Sequence, residues 1–237
     1  MSGPVALVTG ASRGIGRMLA NGLSERGLQV VGIARTPVDE WEELPQSIVR
    51  RQCDVADESA VRRLYSSIRK EFGQLDVLIN NVGVFSGELL QTASAERVAA
   101  VLSGNLGTAH VMTREAAKMM RARGAGRVIS ISSIAAMIPL AGNALYGASK
   151  LAVEGLMHSY AVEFKGSGIT FNSIAVSFVE GTGMVDALKP QVRAQYEERL
   201  LVPRALLIDE VVGTVVFLAS DAAASITGQT IALGSPT

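Results

Sequence analysis

The chain is poor in the residues that staple or metallate a small protein. Its 237 residues include one cysteine, Cys53, and two histidines, His110 and His158. A single cysteine excludes an intramolecular disulfide framework and fits a reducing, cytoplasmic compartment. One Cys and two His are too few for a structural zinc site. Charge of either sign is also missing as a surplus: 22 Lys and Arg offset 22 Asp and Glu. A sequence pI of about 6.8 argues against a nucleic-acid partner, which needs a basic excess or face. No basic n-region or cleavage site marks the N-terminus, so no signal peptide is expected. The longest uncharged stretch, Val128 to Ser149, has 22 residues, enough to cross a bilayer. It carries four serines, Pro139, Asn143 and Tyr146 and is broken by Gly142 and Gly147. It reads as a strand, a loop and a helix start, and no membrane span is expected.

Against these absences stand 48% apolar residues and 24 glycines. The apolar share is enough for a sizeable core. The glycine share, roughly 10% against about 7% on average, is a surplus. Glycine sits where backbone turns sharply or approaches a ligand.

Short Val/Ile/Leu-rich runs alternate with longer amphipathic segments. Strands are expected at Val5–Thr9, Gln29–Ala34, Ser47–Cys53, Leu75–Asn80, Arg127–Ser132, Thr170–Ala175 and Gln229–Ala232. Helices are expected at Gly14–Arg26, Glu58–Phe72, Ala95–Arg123, Tyr146–Phe164 and Asp209–Ser220. Nearly unbroken apolar strands alternating with helices imply an α/β fold, a Rossmann-like doubly wound parallel sheet with helices on both faces. No linker or low-complexity segment interrupts the chain, so one domain over residues 1–237 is expected. The least regular regions are Pro37–Pro45 and Gly181–Pro203.

The first strand runs into Thr9-Gly10-Ala11-Ser12-Arg13-Gly14-Ile15-Gly16 and then a helix. Such a turn lets backbone N–H groups and the positive helix end cradle a pyrophosphate. Gly-x-x-x-Gly-x-Gly differs from the usual dinucleotide fingerprint, and an ordinary strand-to-helix turn is the competing reading. The same residues match Gly-x-Ser-x-Gly with Ser12 central, a hydrolase elbow. That reading needs a histidine on a downstream loop; both histidines fall in helical patterns, and the last 79 residues contain none. Arg35, ending the second strand, stands where an acidic residue would favour NAD(H). Arg35 and Arg13 suit a 2′-phosphate and favour NADP(H) over NAD(H). Asp39 weighs the other way. Asp54, closing the third strand, is a candidate for the adenine amino group, or else part of a helix N-cap region.

Ser133, Tyr146 and Lys150 form a second constellation. Tyr146 and Lys150 are four apart and share a helix face. A tyrosine titrates near 10, poorly placed for proton transfer at neutral pH. An ammonium about 4 Å away at an effective dielectric of about 20 is worth on the order of 4 kcal/mol, roughly three pKa units before solvent reduces it. Ser133 suits a hydrogen bond to a carbonyl oxygen as charge develops on it.

On these motifs the chain resembles the short-chain dehydrogenase/reductase family over nearly its whole length, its 3-oxoacyl-(acyl-carrier-protein) reductase-like branch above all. The matching pieces are Thr9–Gly16, Arg35, Asp54-Val55, Asn80-Asn81-Val82-Gly83, Asn105, Ser133, Tyr146 and Lys150. The resemblance implies that Tyr146 is the general acid, that Lys150 tunes it and binds the nicotinamide ribose, and that Ser133 holds the substrate carbonyl. Asn105 would support a water leading to Lys150. Gly10, Ser12, Arg13, Gly14, Ile15, Gly16, Arg35, Asp54, Val55, Asn81 and Gly83 would line the cofactor with Tyr146 and Lys150. Val179 would present its backbone to the carboxamide, with Thr182 nearby. Where the family places Pro-Gly after the sixth strand, this chain has Val176-Ser177. Its C-terminal stretch lacks the family's Asp-Gly-Gly, and Val82 replaces an alanine.

The expected activity is reduction of a ketone or aldehyde, including a 3-oxoacyl chain on a carrier protein, by hydride transfer from NADPH. Oxidation of an alcohol with NAD(P)⁺ and a nucleotide-binding regulator without turnover are the alternatives. Met184, Val185, Ala187 and Leu188 suggest an apolar substrate lid, and Lys189, Arg193, Glu197, Glu198 and Arg199 a solvated helix face. A homotetramer or homodimer is expected by resemblance, built on the helices Ala95–Arg123 and Tyr146–Phe164.

Overall fold

The computed structural model describes residues 3–139, 141–182 and 190–236, leaving aside the side chains of residues 190, 192 and 196. Seven strands form one parallel sheet: β1 (Val5–Thr9), β2 (Gln29–Ala34), β3 (Val49–Gln52), β4 (Val77–Asn80), β5 (Gly126–Ser133), β6 (Ile169–Val176) and β7 (Thr230–Leu233). Their order is β3-β2-β1-β4-β5-β6-β7. The helices are α1 (Gly14–Glu25), α2 (Glu58–Phe72), α3 (Ala95–Leu102), α4 (Thr108–Arg121), α5 (Ala144–Glu163), α6 (Pro190–Glu197) and α7 (Ile208–Ala219).

Alternation along each strand divides the core in two. Ala6 and Val8 of β1 pack with Leu19 and Leu23 of α1 and Val212 and Val215 of α7. Val5 and Leu7 face the other way, toward Leu64 and Ile68 of α2, Met112 and Met120 of α4, and Met157 of α5. Every residue of β1, β4 and β6 is buried, which explains why β1 and β4 read as nearly unbroken apolar runs, while β6 also buries Thr170, Asn172 and Ser173.

The chain leaves β1 for β2 on one side and later fills β4 on the other, so the strand order reverses between β1 and β4. Ligands bind open α/β sheets at this switch point, outside the carboxyl ends of the strands. Here those ends are Thr9 and Asn80, with Ser133 at the end of β5 and Val176 at the end of β6.

The expected helix Ala95–Arg123 is interrupted. Residues Ser103–Gly107 form a π-helical turn between α3 and α4, with Asn105 buried inside it. Such turns accommodate one extra residue and recur at functional sites. The region expected to be least regular near the C-terminus contains α6, where Arg193 pairs with Glu197 at 2.8 Å. Met184, Val185, Ala187, Leu188 and Lys189 lie outside the described residues.

Candidate active site

The glycine turn closes against the end of β4. The Asn81 side-chain amide donates to the Thr9 carbonyl at 2.9 Å, and the N–H groups of Asn81 and Val82 both donate to Thr9 Oγ1 at 2.9 and 3.0 Å. Asn81 thus ties β1 to β4 at the switch point. A Cβ on Gly16 would lie 2.2 Å from the Gly10 carbonyl oxygen and 2.5 Å from the Asn81 amide nitrogen, so only glycine fits there. Gly14 differs: its φ is +56°, and a Cβ there would meet nothing within 4 Å. Glycine serves the left-handed conformation at Gly14, which faces open space.

Arg13 is the N-cap of α1, and its side chain makes no capping hydrogen bond. The first N–H groups of a helix otherwise need an acceptor. Ser12 and Ile15 are partly buried on either side of the exposed Arg13. Arg35 is exposed at the end of β2, and its carbonyl accepts from the Gln52 side chain at 3.0 Å. Among the described residues neither Arg13 nor Arg35 has a carboxylate partner. The turn therefore combines an uncapped helix start, open space beside Gly14 and two unpaired guanidinium groups, a set that fits a nucleotide carrying an extra phosphate.

Asp54 forms a local turn in which Oδ1 accepts from the Ala56 N–H at 3.0 Å. The N-cap of α2 is Asp57, whose side chain accepts from Ser59 N at 2.8 Å, so Asp54 is not the cap. Val55 is buried in the core beneath it.

Ser133, Tyr146 and Lys150 converge at the end of β5. After Ser133 the chain makes a short 3-10 turn, Ile134–Ala136, against which α5 packs very closely: a Cβ on Gly147 would sit 2.2 Å from the Ala135 carbonyl oxygen. That contact brings the start of α5 beside Ser133. Ser133 Oγ accepts from the Ala135 N–H at 3.2 Å, and its hydroxyl proton has no acceptor among the described residues. Lys150 Nζ lies 5.7 Å from the Tyr146 ring centre and donates to the Ile131 carbonyl at 2.8 Å.

Lys150 is buried, and loss of solvent pushes its pKa down from 10.5 to about 8, opposed by the negative charge of Glu154. It keeps its proton at pH 7 and sheds it in mildly basic solution. Glu154, one helical turn further along α5, receives hydrogen bonds from Ser132 and Thr230. Burial nonetheless raises its pKa, against the lowering effects of those bonds and of Lys150.

Asn105 supports this group through the loop after β4. Its Oδ1 accepts from the Val84 N–H at 2.6 Å, and its amide donates to the Val84 carbonyl at 3.0 Å and to Ser149 Oγ at 2.7 Å. The side chain therefore bonds across to a neighbouring loop and to α5. The π turn is what points an otherwise helical asparagine into this junction. A Cβ on Gly83 would lie 2.9 Å from Asn105 Oδ1 and 3.2 Å from Lys150 Nζ, which fixes Gly83 at the meeting point of the two.

After β6, Val179 is buried and bridges Leu206. Thr182 Oγ1 donates to the Val179 carbonyl at 2.7 Å, while the Val179 N–H donates to nothing among the described residues. The backbone of Val179 therefore offers a ligand its N–H rather than its carbonyl. Ser177, where the family has glycine, is buried with its hydroxyl unpartnered among the described residues.

Two residues at the site were missed by motif reading. Glu154 stands four after Lys150, the spacing that paired Tyr146 with Lys150, and could have been found by extending the stripe. Phe85, whose ring meets Tyr146 edge-on with centroids 5.3 Å apart, carried no sequence signal.

Comparison with known proteins agrees with this geometry. Residues 10–234 match the family model described as "Enoyl-(Acyl carrier protein) reductase". The chain is 34% identical to the 3-oxoacyl-[acyl-carrier-protein] reductase FabG of Escherichia coli over 234 residues, 97% of this chain and 95% of that protein. It is 36% identical to FabG of Staphylococcus aureus, covering 95% and 94%. Among solved structures, a Mycobacterium ulcerans short-chain type dehydrogenase/reductase superposes with a TM-score of 0.90 at 28% identity, covering 98% of this chain and 90% of that one. An Agrobacterium tumefaciens protein assigned provisionally as a gluconate dehydrogenase gives 0.90 at 30% identity, covering 98% and 95%. The chain belongs to the short-chain dehydrogenase/reductase family and is an oxidoreductase.

Proposed function

We propose that this chain is a single-domain NADPH-dependent carbonyl reductase, with a 3-oxoacyl thioester as the first substrate to test. The observation that carries the reading is the buried Lys150, its ammonium 5.7 Å from the Tyr146 ring centre and fixed by Ile131, on a helix packed against the turn that follows Ser133. A bound nicotinamide cofactor supplies a hydride to the carbonyl carbon. Tyr146 gives its hydroxyl proton to the carbonyl oxygen, so that C=O becomes CH–OH. Ser133 donates a hydrogen bond to the same oxygen as negative charge builds there. The charge of Lys150 stabilises the phenolate left on Tyr146, and Asn105 holds the loop and helix that frame Lys150. The 3-oxoacyl thioester is tested ahead of an enoyl thioester because the chain is 34% and 36% identical to the FabG relatives over nearly their whole length.

The pyrophosphate would lie over Gly14 and the start of α1, with Arg13 and Arg35 on a 2′-phosphate. Asp54 would reach the adenine, and the Val179 N–H the carboxamide. The reading includes self-association in the cytoplasm, supported by Leu151 and Val162, which α5 exposes at 55% and 64%. The test is loss of nicotinamide absorbance with NADPH or NADH and either a 3-oxoacyl or a 2-enoyl thioester. The reading expects turnover of the 3-oxoacyl thioester with NADPH; turnover of the enoyl thioester alone, or of neither, would refute it.

A further inference from the structure

The carbonyl-reductase reading leaves open what flanks the reacting carbon, and the loop after β4 bears on that. Residues 84–90 expose four apolar side chains: Val84 at 38%, Phe85 at 50%, Leu89 at 46% and Leu90 at 61%. An exposed phenylalanine at a functional site is more informative than a scattered surface leucine, because contiguous apolar surface marks contact with a ligand or partner. Phe85 also packs edge-on against the Tyr146 ring, at an interplanar angle of 64°.

The loop that carries Phe85 is held from both sides. Upstream, both backbone groups of Val84 are bonded to the Asn105 side chain, and a Cβ on Gly104 of the π turn would lie 2.7 Å from a Val84 methyl. Downstream, Ser86 is fully buried and donates to Glu88 Oε1 at 2.9 Å, while Arg97 Nε donates to the same oxygen at 2.8 Å. Arg97 also reaches the Phe85 carbonyl at 3.5 Å. Gly87 leaves room for the ring: a Cβ there would lie 3.0 Å from Phe85 Cε1. A half-exposed aromatic on so constrained a loop is pre-organised to bind, because little side-chain freedom remains to be lost.

We propose that Phe85 is a specificity-determining residue: its ring forms one wall of the substrate site beside Tyr146 and receives a flat, apolar substituent of the ketone, aryl or conjugated in preference to short alkyl. Aromatic rings attract one another edge-to-face or offset beyond the area they bury, and Tyr146 already occupies one side of Phe85. The exposed side is left for the substrate.

This inference rests on the carbonyl-reductase reading, so its test has two arms. In the first, kcat/KM with NADPH is measured for acetophenone and ethyl acetoacetate on wild type, Phe85→Ala, Phe85→Leu and Phe85→Tyr, each checked for folding by circular dichroism. The acetophenone to ethyl acetoacetate ratio is expected to fall about tenfold in Phe85→Ala. It is expected to fall in Phe85→Leu, which keeps bulk without a ring, and to hold in Phe85→Tyr. A ratio unchanged in both Phe85→Ala and Phe85→Leu overturns the proposal, including the case where both substrates suffer equally because Phe85 only props Tyr146. The second arm is saturation-transfer NMR of acetophenone with wild type and Phe85→Ala in the presence of NADP⁺. If wild type reduces neither ketone, the thioester assay judges the functional reading and this arm alone judges Phe85. Transfer seen in wild type and lost in Phe85→Ala supports the wall; transfer absent from wild type, or kept in the variant, overturns it.

Discussion

Replacing Lys150 by methionine removes a buried charge while keeping a chain of similar length. The effect on stability depends on pH, with a sign that the structure determines. Folding lowers the lysine pKa from 10.5 to about 8, chiefly because burial penalises the ammonium. Between those two values the folded protein has shed the proton and the unfolded chain still holds it. The unfolded state then binds more protons, so wild-type stability rises with pH across this window. From pH 7 to pH 9.5 the gain from this one group is about 2 kcal/mol. Methionine cannot titrate and lacks the gain. Both proteins keep the other titrating groups, and Glu154 is the one whose pKa the lost ammonium also shifts, so the difference between them reports Lys150 together with its effect on Glu154. Urea unfolding of the two cofactor-free proteins at pH 7 and 9.5 measures it, and thermal melts should show a relative shift of about 4–8 °C for a chain of this length. Lys150→Met should be best placed against wild type at pH 7 and lose about 2 kcal/mol of that standing at pH 9.5. A wild-type minus variant difference that stays flat with pH would show that Lys150 is not held in a desolvated site.

Three further perturbations probe other parts of the site. Arg35→Asp should raise the Kd for NADPH at least tenfold and shift preference toward NADH, because it replaces a guanidinium by a carboxylate; titration of both cofactors by fluorescence checks this. Gly83→Ala should lower kcat at least tenfold and cost about 1–3 kcal/mol in urea unfolding, since overpacking against fixed neighbours is destabilising. Its added methyl would press on Asn105 Oδ1 and Lys150 Nζ, 2.9 and 3.2 Å away. Gly16→Ala should prevent folding or abolish cofactor binding, since its Cβ would collide with the Gly10 carbonyl at 2.2 Å; circular dichroism and NADPH titration distinguish the two, and a fully active variant would contradict the packing described for the turn.

The centre of the sheet was legible because β1 and β4 are buried on both faces, so their apolar runs are nearly continuous. β1 and β2 have the expected limits, whereas Ser47–Cys53 shrinks to Val49–Gln52 at the exposed edge, where the side chains are alternately half-buried and exposed. The π turn was invisible: one extra residue leaves the apolar spacing on either side intact, and only the small, polar run Ser103-Gly104-Asn105 in mid-helix hints at it. Ser133, Tyr146 and Lys150 could be picked out because i, i+4 spacing and strand-end position are local properties. The contacts of Phe85 with Tyr146, and of Asn105 with Val84, join distant segments, and no spacing rule encodes them. The same holds for the Asn81 clamp on Thr9, which explains the glycine spacing only once both strands are in place.

The central claim is that Tyr146 delivers a proton to a carbonyl oxygen. The most direct measurement is NADPH consumption with a 3-oxoacyl thioester by wild type and Tyr146→Phe, with NADPH affinity determined for both. The account predicts wild-type turnover, a loss of about 10²–10⁴-fold in kcat for the variant, as is typical of a removed general acid, and nearly unchanged NADPH affinity. Near-normal turnover by Tyr146→Phe would contradict it.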